Sequence, residues 1–144
     1  MIYFHQNAIE SLDQIQIERL SQGIEDTYSA DIFARYIAGP AWEKSVINDD
    51  LFDMWIRHEN IWLRRAAIMS TIHQNKNFER VLKYAALLIN DQDDVIVEAL
   101  SKVLRAASIS NHAKVAEFIE NHRSILPQTL LEITYADKGI RDRG

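Results

Sequence analysis

Cysteine is absent from this 144-residue chain, and glycine (4) and proline (2) are scarce. Without cysteine there is no disulfide, no thiolate zinc site and no cysteine nucleophile. So few glycines and prolines disfavour a many-stranded sandwich, which needs turn residues at short intervals, and favour long helices. No apolar run approaches the length of a membrane span. The opening residues, Met1 to Asn7, carry neither a basic leader nor a small-residue cleavage site, which predicts no signal peptide and a cytoplasmic location. Positive charge is also in deficit, with 16 Lys and Arg against 21 Asp and Glu and a net charge of -5. Such a chain does not attract polyanions over its whole surface, so a nucleic acid would need a local basic face.

What is present is a globular composition, 47% hydrophobic, sufficient for one domain over 1–144 with a polar, frayed tail at 137–144. Apolar residues recur at helical spacing almost throughout. Ile9, Leu12, Ile15, Ile17 and Leu20 predict a first helix ending near Gly23. Ser29-Ala30-Asp31 opens a short helix carrying Ile32, Phe33, Tyr36 and Ile37, with Gly39-Pro40 as its stop and Pro40 as the start of another around Trp42 and Val46. Asn48-Asp49-Asp50 caps a helix holding Leu51, Phe52, Met54, Trp55 and Ile56, and Asn60 caps one that runs to about His73. Further helices carry Phe78, Val81, Leu82, Ala85, Leu88 and Ile89, then Val95, Val97, Leu100, Val103 and Leu104. After a turn at Ser108 to Asn111 come Val115, Phe118 and Ile119, and Leu126-Pro127 introduces Leu130, Leu131 and Ile133.

A weak internal repeat runs beneath this pattern. Shifted by 34 residues, Asn60-Ile61-Trp62-Leu63-Arg64 lies over Asp94-Val95-Ile96-Val97-Glu98, and Ala66-Ala67 lies over Leu100-Ser101. Helix pairs at this spacing belong to solenoids. The fold expected is all-α, with HEAT-like helical hairpins stacked as an α-α superhelix; an irregular helical bundle is the alternative.

Candidate chemistry is thin. His5, His58, His73, His112 and His122 show no i, i+4 pairing, so no histidine zinc site is expected. Asp49-Asp50 and Asp91 to Asp94 lack the glycine and terminal glutamate of a calcium loop and read as helix caps. Trp42, Trp55 and Trp62 sit among apolar neighbours and read as core. Arg64 and Arg65 stand out, because cations at a helix start oppose the dipole and need another reason to be there. That reason is either phosphate contact or pairing with a carboxylate such as Asp53 or Glu59. Asp31, near a helix start, reads by itself as a cap or dipole partner.

The stretch Trp62-Leu63-Arg64-Arg65-Ala66-Ala67-Ile68, with Leu63-Arg64 and then Ala67, has the pattern of the second helix of a HEAT-type repeat. It resembles the DNA alkylation repair family, the HEAT-like alkylpurine-DNA glycosylases. The resemblance covers roughly residues 25 to 135 and is strongest across residues 55 to 68. It implies duplex DNA held in a concave groove and hydrolysis of the bond to N3- or N7-alkylated purines, without metal or organic cofactor. It implies that Asp31 stabilises the charge developing on the sugar, with Arg65 as its catalytic companion. Arg64, Arg65, Lys102, Arg105, Trp62 and Tyr28 are then the DNA-binding residues. The chain departs from the family pattern in three places. Thr27 stands where an aromatic precedes the aspartate by four, with Tyr28 one residue off. In Glu98-Ala99-Leu100-Ser101-Lys102-Val103-Leu104-Arg105, Glu98 replaces a lysine and Lys102 a tryptophan.

A wider basic set (Arg57, Arg64, Arg65, Arg80, Lys83, Lys102, Arg105, Lys114 and Arg123) supplies cations for one face. A non-catalytic protein-interaction module is the other reading. Its partner would be another protein or a second copy docking on an uncapped solenoid end, unless Met1 to Phe4 cover that end.

Overall fold

The computed structural model describes residues 12–73 and 77–133. Its elements are α1 (Gln14–Ser21), α2 (Thr27–Phe33), a wide π turn (Ala34–Ala38) running into α3 (Gly39–Glu43), and α4 (Asp49–Ile56). These are followed by α5 (Ile61–Ser70) with a 3-10 turn (Thr71–His73), α6 (Phe78–Leu88), α7 (Asp94–Ser110) and α8 (His112–Asn121). The chain is helical again at 128–133. No strand occurs among the described residues, so the fold is all-α as expected. Nor is any described helix long and apolar enough to cross a membrane. Ile9, Met1 to Phe4 and the tail at 137–144 lie outside the described residues.

Short polar side chains set the helix starts. Asp13, Asp26, Asn48, Asn60, Asn77, Asp93 and Asn111 each accept a first-turn backbone N–H. Each satisfies a donor that the helix itself leaves open, worth about 1 kcal/mol. Asp26 and Ser29 close a reciprocal box, and the Ser29 backbone N–H, then its hydroxyl, hold the Asp26 carboxyl below its usual range. α2 therefore begins two residues before the expected Ser29 start, and Asp31 lies well inside the helix instead of capping it.

Two predicted boundaries fail for physical reasons. Gly39-Pro40 does not stop the helix, because Gly39 keeps right-handed helical angles (φ -60) and donates its N–H to the Ala34 carbonyl five residues back. Pro40 has no N–H and its ring crowds the carbonyl one turn earlier. The wide turn immediately before it relieves that crowding, and the chain continues as α3. Nor is Ser108 to Asn111 an open turn. α7 runs to Ser110, and Asn111 both ends it and caps α8.

α5 lies at the centre. It packs against α2 and the π turn on one side and α7 on the other, with α4 alongside. α6 contacts both α4 and α7, and α8 packs on α7. Ala66, Ala67 and Ile68 of α5 are fully buried, and the two alanines let the flanking helices approach closely. An aromatic cluster fills the space beside them. Trp42 stacks on Phe52 at 3.8 Å between centroids, while Phe52 and Phe33 meet Trp55 edge-on at 5.3 and 5.7 Å. Trp42 and Trp55 are core, as expected, whereas Trp62 is only half-buried and Met54 is exposed.

Candidate functional site

Three helices, α2, α5 and α7, each supply one residue to a charged cluster. Arg65, one turn into α5, is the only charged residue buried among those described, with its side chain 1% exposed. Its Nε donates to Asp31 Oδ1 at 2.8 Å and its Nη2 to Asp31 Oδ2 at 2.9 Å. Nη2 also donates to Glu98 Oε1 at 3.0 Å, and Nη1 to the Val95 carbonyl at 2.8 Å. The Asp31 carboxylate, ahead of the opposing cost of burial, raises the Arg65 pKa further and keeps the guanidinium charged. Asp31 itself keeps 28% of its side chain exposed and Glu98 56%. The arginine is thus the hidden member and the carboxylates face outward. Arg65 in turn holds the Glu98 carboxyl below its usual range, and Lys102, 3.4 Å from Glu98 Oε1, adds to this from the solvent side.

Arg64 points elsewhere. Its Nε pairs with Asp91 at 3.0 Å, and its Nη1 donates to the carbonyls of His58 and Glu59 at 2.8 and 2.9 Å. It ties the turn before α5 to the loop before α7. Neither arginine pairs with the carboxylate of Asp53 or Glu59, as the sequence had suggested. The partners lie on α2, on α7 and in the loop before α7 instead. The phosphate contacts expected of Arg65 meet a guanidinium sealed inside the protein, and those of Arg64 one already bound on two sides.

The remaining predicted residues surround the cluster. Tyr28, three residues before Asp31 on α2, is 75% exposed. Lys102 and Arg105 follow Glu98 by one and two turns of α7, and both are exposed. Arg105 Nε donates to Ser101 Oγ at 3.3 Å. Arg35, absent from the predicted set, stands exposed on the π turn one turn beyond Asp31. Glu98, which the resemblance marks only as the replacement of a lysine, is the second carboxylate partner of Arg65. The signal that identifies it is the repeat itself, since Asp31 and Glu98 lie 34 and 33 residues from Arg65.

Beside Glu98 opens a cleft of about 710 Å³, bounded by Asp91, Asp94, Val97, Glu98, Ile125 and Leu126 among others, with no lysine or arginine in its lining. Among the described residues no group of His, Asp and Glu is placed to hold a metal ion.

No curated protein and no solved structure matches the chain. A family model does, that of the DNA alkylation repair enzyme, over residues 2–136. That match takes in every helix described above, including the three that build the Asp31–Arg65–Glu98 cluster. The chain belongs to the DNA alkylation repair enzyme family.

Proposed function

We propose that this protein binds alkylated duplex DNA across the face formed by α2, α5 and α7 and hydrolyses the N-glycosidic bond of N3- or N7-alkylated purines. The observation that carries this reading is the Asp31–Arg65 pair, with the arginine buried and the carboxylate fixed by two hydrogen bonds yet still partly exposed. In a cationic alkylpurine nucleotide the C1′–N bond breaks with its electron pair passing to the base, which leaves neutral. The positive charge moves to the sugar. A preorganised carboxylate lowers the energy of that cation, because its orientation is fixed before the charge appears. Water then adds at C1′ and loses a proton to solvent, leaving an abasic sugar. Arg65 acts by holding Asp31 rather than by touching DNA. The chemistry asks for no metal or organic cofactor.

In this reading the hairpins stack as HEAT-like units into a superhelix whose concave side carries the site. Ion pairs between residues 31 to 35 apart support that arrangement, since each joins neighbouring units. Lys102 and Arg105 make the phosphate contacts, joined by Arg35. Tyr28 and half-buried Trp62 supply apolar contact with the nucleotide. A shallow face suffices where the damaged base need not be flipped into a deep pocket.

The test is release of methylated purine from methylated duplex DNA, wild type beside Asp31→Asn. Release by the wild type that Asp31→Asn abolishes is the expected result. No release by the wild type overturns the enzymatic reading and leaves the non-catalytic one, a module binding another protein or a second copy of the chain. The acidic lining of the cleft beside Glu98 favours that alternative, because it repels phosphate.

A further inference from the structure

Arg65 offers five N–H donors, and four are used. Two of the four belong to Nη2, which divides its hydrogens between Asp31 and Glu98. One carboxylate on one guanidinium would make a neutral pair whose field falls off quickly. Two carboxylates on the same guanidinium leave negative charge facing outward. The oxygens that share Nη2 are at most about 6 Å apart, because both hold one nitrogen at hydrogen-bond distance. Lys102 answers Glu98 only at 3.4 Å, and both side chains are about half exposed, so solvent screens that outer charge while the buried contact stays strong. Glu98 Oε1 accepts from both cations.

We propose that Glu98 is a positioning residue for Asp31. By taking the second Nη2 hydrogen of Arg65, it locks the guanidinium in the orientation that grips both Asp31 oxygens, and it keeps the cluster from closing into a neutral pair. This rests on the reading of Asp31 as the carboxylate that faces the sugar. The glutamate in place of the family's lysine is then a second route to an anionic site. Glu98 acts through Arg65 and touches no substrate. Its side chain is more than half exposed, so replacing it leaves the core intact.

The experiment compares wild type, Glu98→Gln and Glu98→Ala in two measurements on the full chain. The first is base release from methylated duplex DNA. Glu98→Ala is expected to lower kcat on the order of tenfold, with KM for DNA within about twofold, since geometry at the reacting centre changes while DNA contacts do not. Glu98→Gln, which keeps a hydrogen-bond acceptor but loses the charge, falls between. The second is the ¹⁵N-resolved side-chain spectrum of Arg65. Its four Nη hydrogens give separate signals while the guanidinium is locked, and those signals merge in Glu98→Ala. Resolved signals in Glu98→Ala, or a kcat within twofold of wild type, overturn the proposal. If the wild type releases no base, the catalytic reading fails by itself and the Arg65 spectrum still decides whether Glu98 holds the guanidinium.

Discussion

Arg65 grips Asp31 with two hydrogen bonds, 2.8 Å from Nε to Oδ1 and 2.9 Å from Nη2 to Oδ2, across a sequence separation of 34 residues. The same stride recurs. Arg65 reaches Glu98 at 33, Arg80 reaches Asp49 at 31, and Lys114 reaches Glu79 at 35. Helices one stride apart are therefore neighbours, and charged side chains join them. Of these contacts only the Asp31–Arg65–Glu98 group has a buried member, so it alone combines a structural role with a constrained, outward-facing carboxylate.

Removing the buried guanidinium destabilises the protein. Arg65→Ala leaves Asp31 and Glu98 facing each other and empties the space of the arginine stem. Breaking a fully buried pair costs about 3–5 kcal/mol, but both carboxylates can rehydrate here, so the expected loss is about 2–3 kcal/mol. Arg65→Lys loses less, about 1–2 kcal/mol, because the ammonium cannot reproduce the two-point grip. Urea unfolding monitored by circular dichroism measures both. As a control, Lys114→Ala removes a pair exposed on both sides and is expected to leave the midpoint unchanged.

Much of this was legible in the sequence, and what was not has a physical reason. The apolar stripes of α4 through α8 name most of the core because period and burial largely coincide there, although Met54 is exposed and Ile96, rather than Val95 or Val97, is the fully buried residue at the start of α7. Asn48 and Asn60 were readable as caps, since a short polar side chain before an apolar run has few other uses. The start of α2 is ambiguous in the sequence because Asp26 and Ser29 both carry capping chemistry, and only the fold makes Asp26 the cap and Ser29 its reciprocal partner. The run through Gly39-Pro40 was hidden because local propensity opposes a helix there, and the wide turn that accommodates Pro40 depends on packing. The partners of Arg65, 34 and 33 residues away, follow the stride of the repeat, whereas Asp91 lies 27 residues from Arg64 and carries no such signal.

Acid should loosen the cluster at Glu98. Arg65 holds the folded-state pKa of this carboxyl below its unfolded value, with Lys102 assisting. Its contribution to stability is therefore complete above the usual glutamate range and is lost as pH falls through the folded value. The stability difference between wild type and Glu98→Gln should stay flat from neutral pH to about 5 and shrink below that. Thermal melts from pH 7 to pH 3 on the two proteins check this. A difference that grows on acidification would show that Glu98 is not held in its ionised form.

Ser45, two residues past the end of α3, has φ 61, the only positive φ among described non-glycine residues. Its neighbour Val46 donates back to the Ala41 carbonyl at 2.8 Å, so the chain turns sharply there. The left-handed conformation burdens an L-residue by about 1–2 kcal/mol, and glycine carries no such burden but has more freedom to lose on folding. Ser45→Gly is expected to stabilise by about 0.5–1 kcal/mol, and a β-branched Ser45→Val to destabilise. Chemical denaturation of the three proteins decides the sign.

DNA binding should depend on different cations from those that hold the fold. Lys102 and Arg105 are exposed on α7 one and two turns past Glu98, while Arg65 is sealed behind Asp31. Each phosphate contact contributes about one unit to the slope of log affinity against log salt. Lys102→Ala and Arg105→Ala are expected to weaken binding to methylated and unmethylated duplex alike, and each to reduce that slope by about one. Asp31→Asn should leave the slope unchanged, because a carboxylate releases no counterions from DNA on binding. Fluorescence anisotropy across a salt series with labelled duplex supplies the slopes. Unchanged slopes in both α7 variants would move the DNA-binding face away from α7, and with it the case that Asp31 sits against a bound sugar.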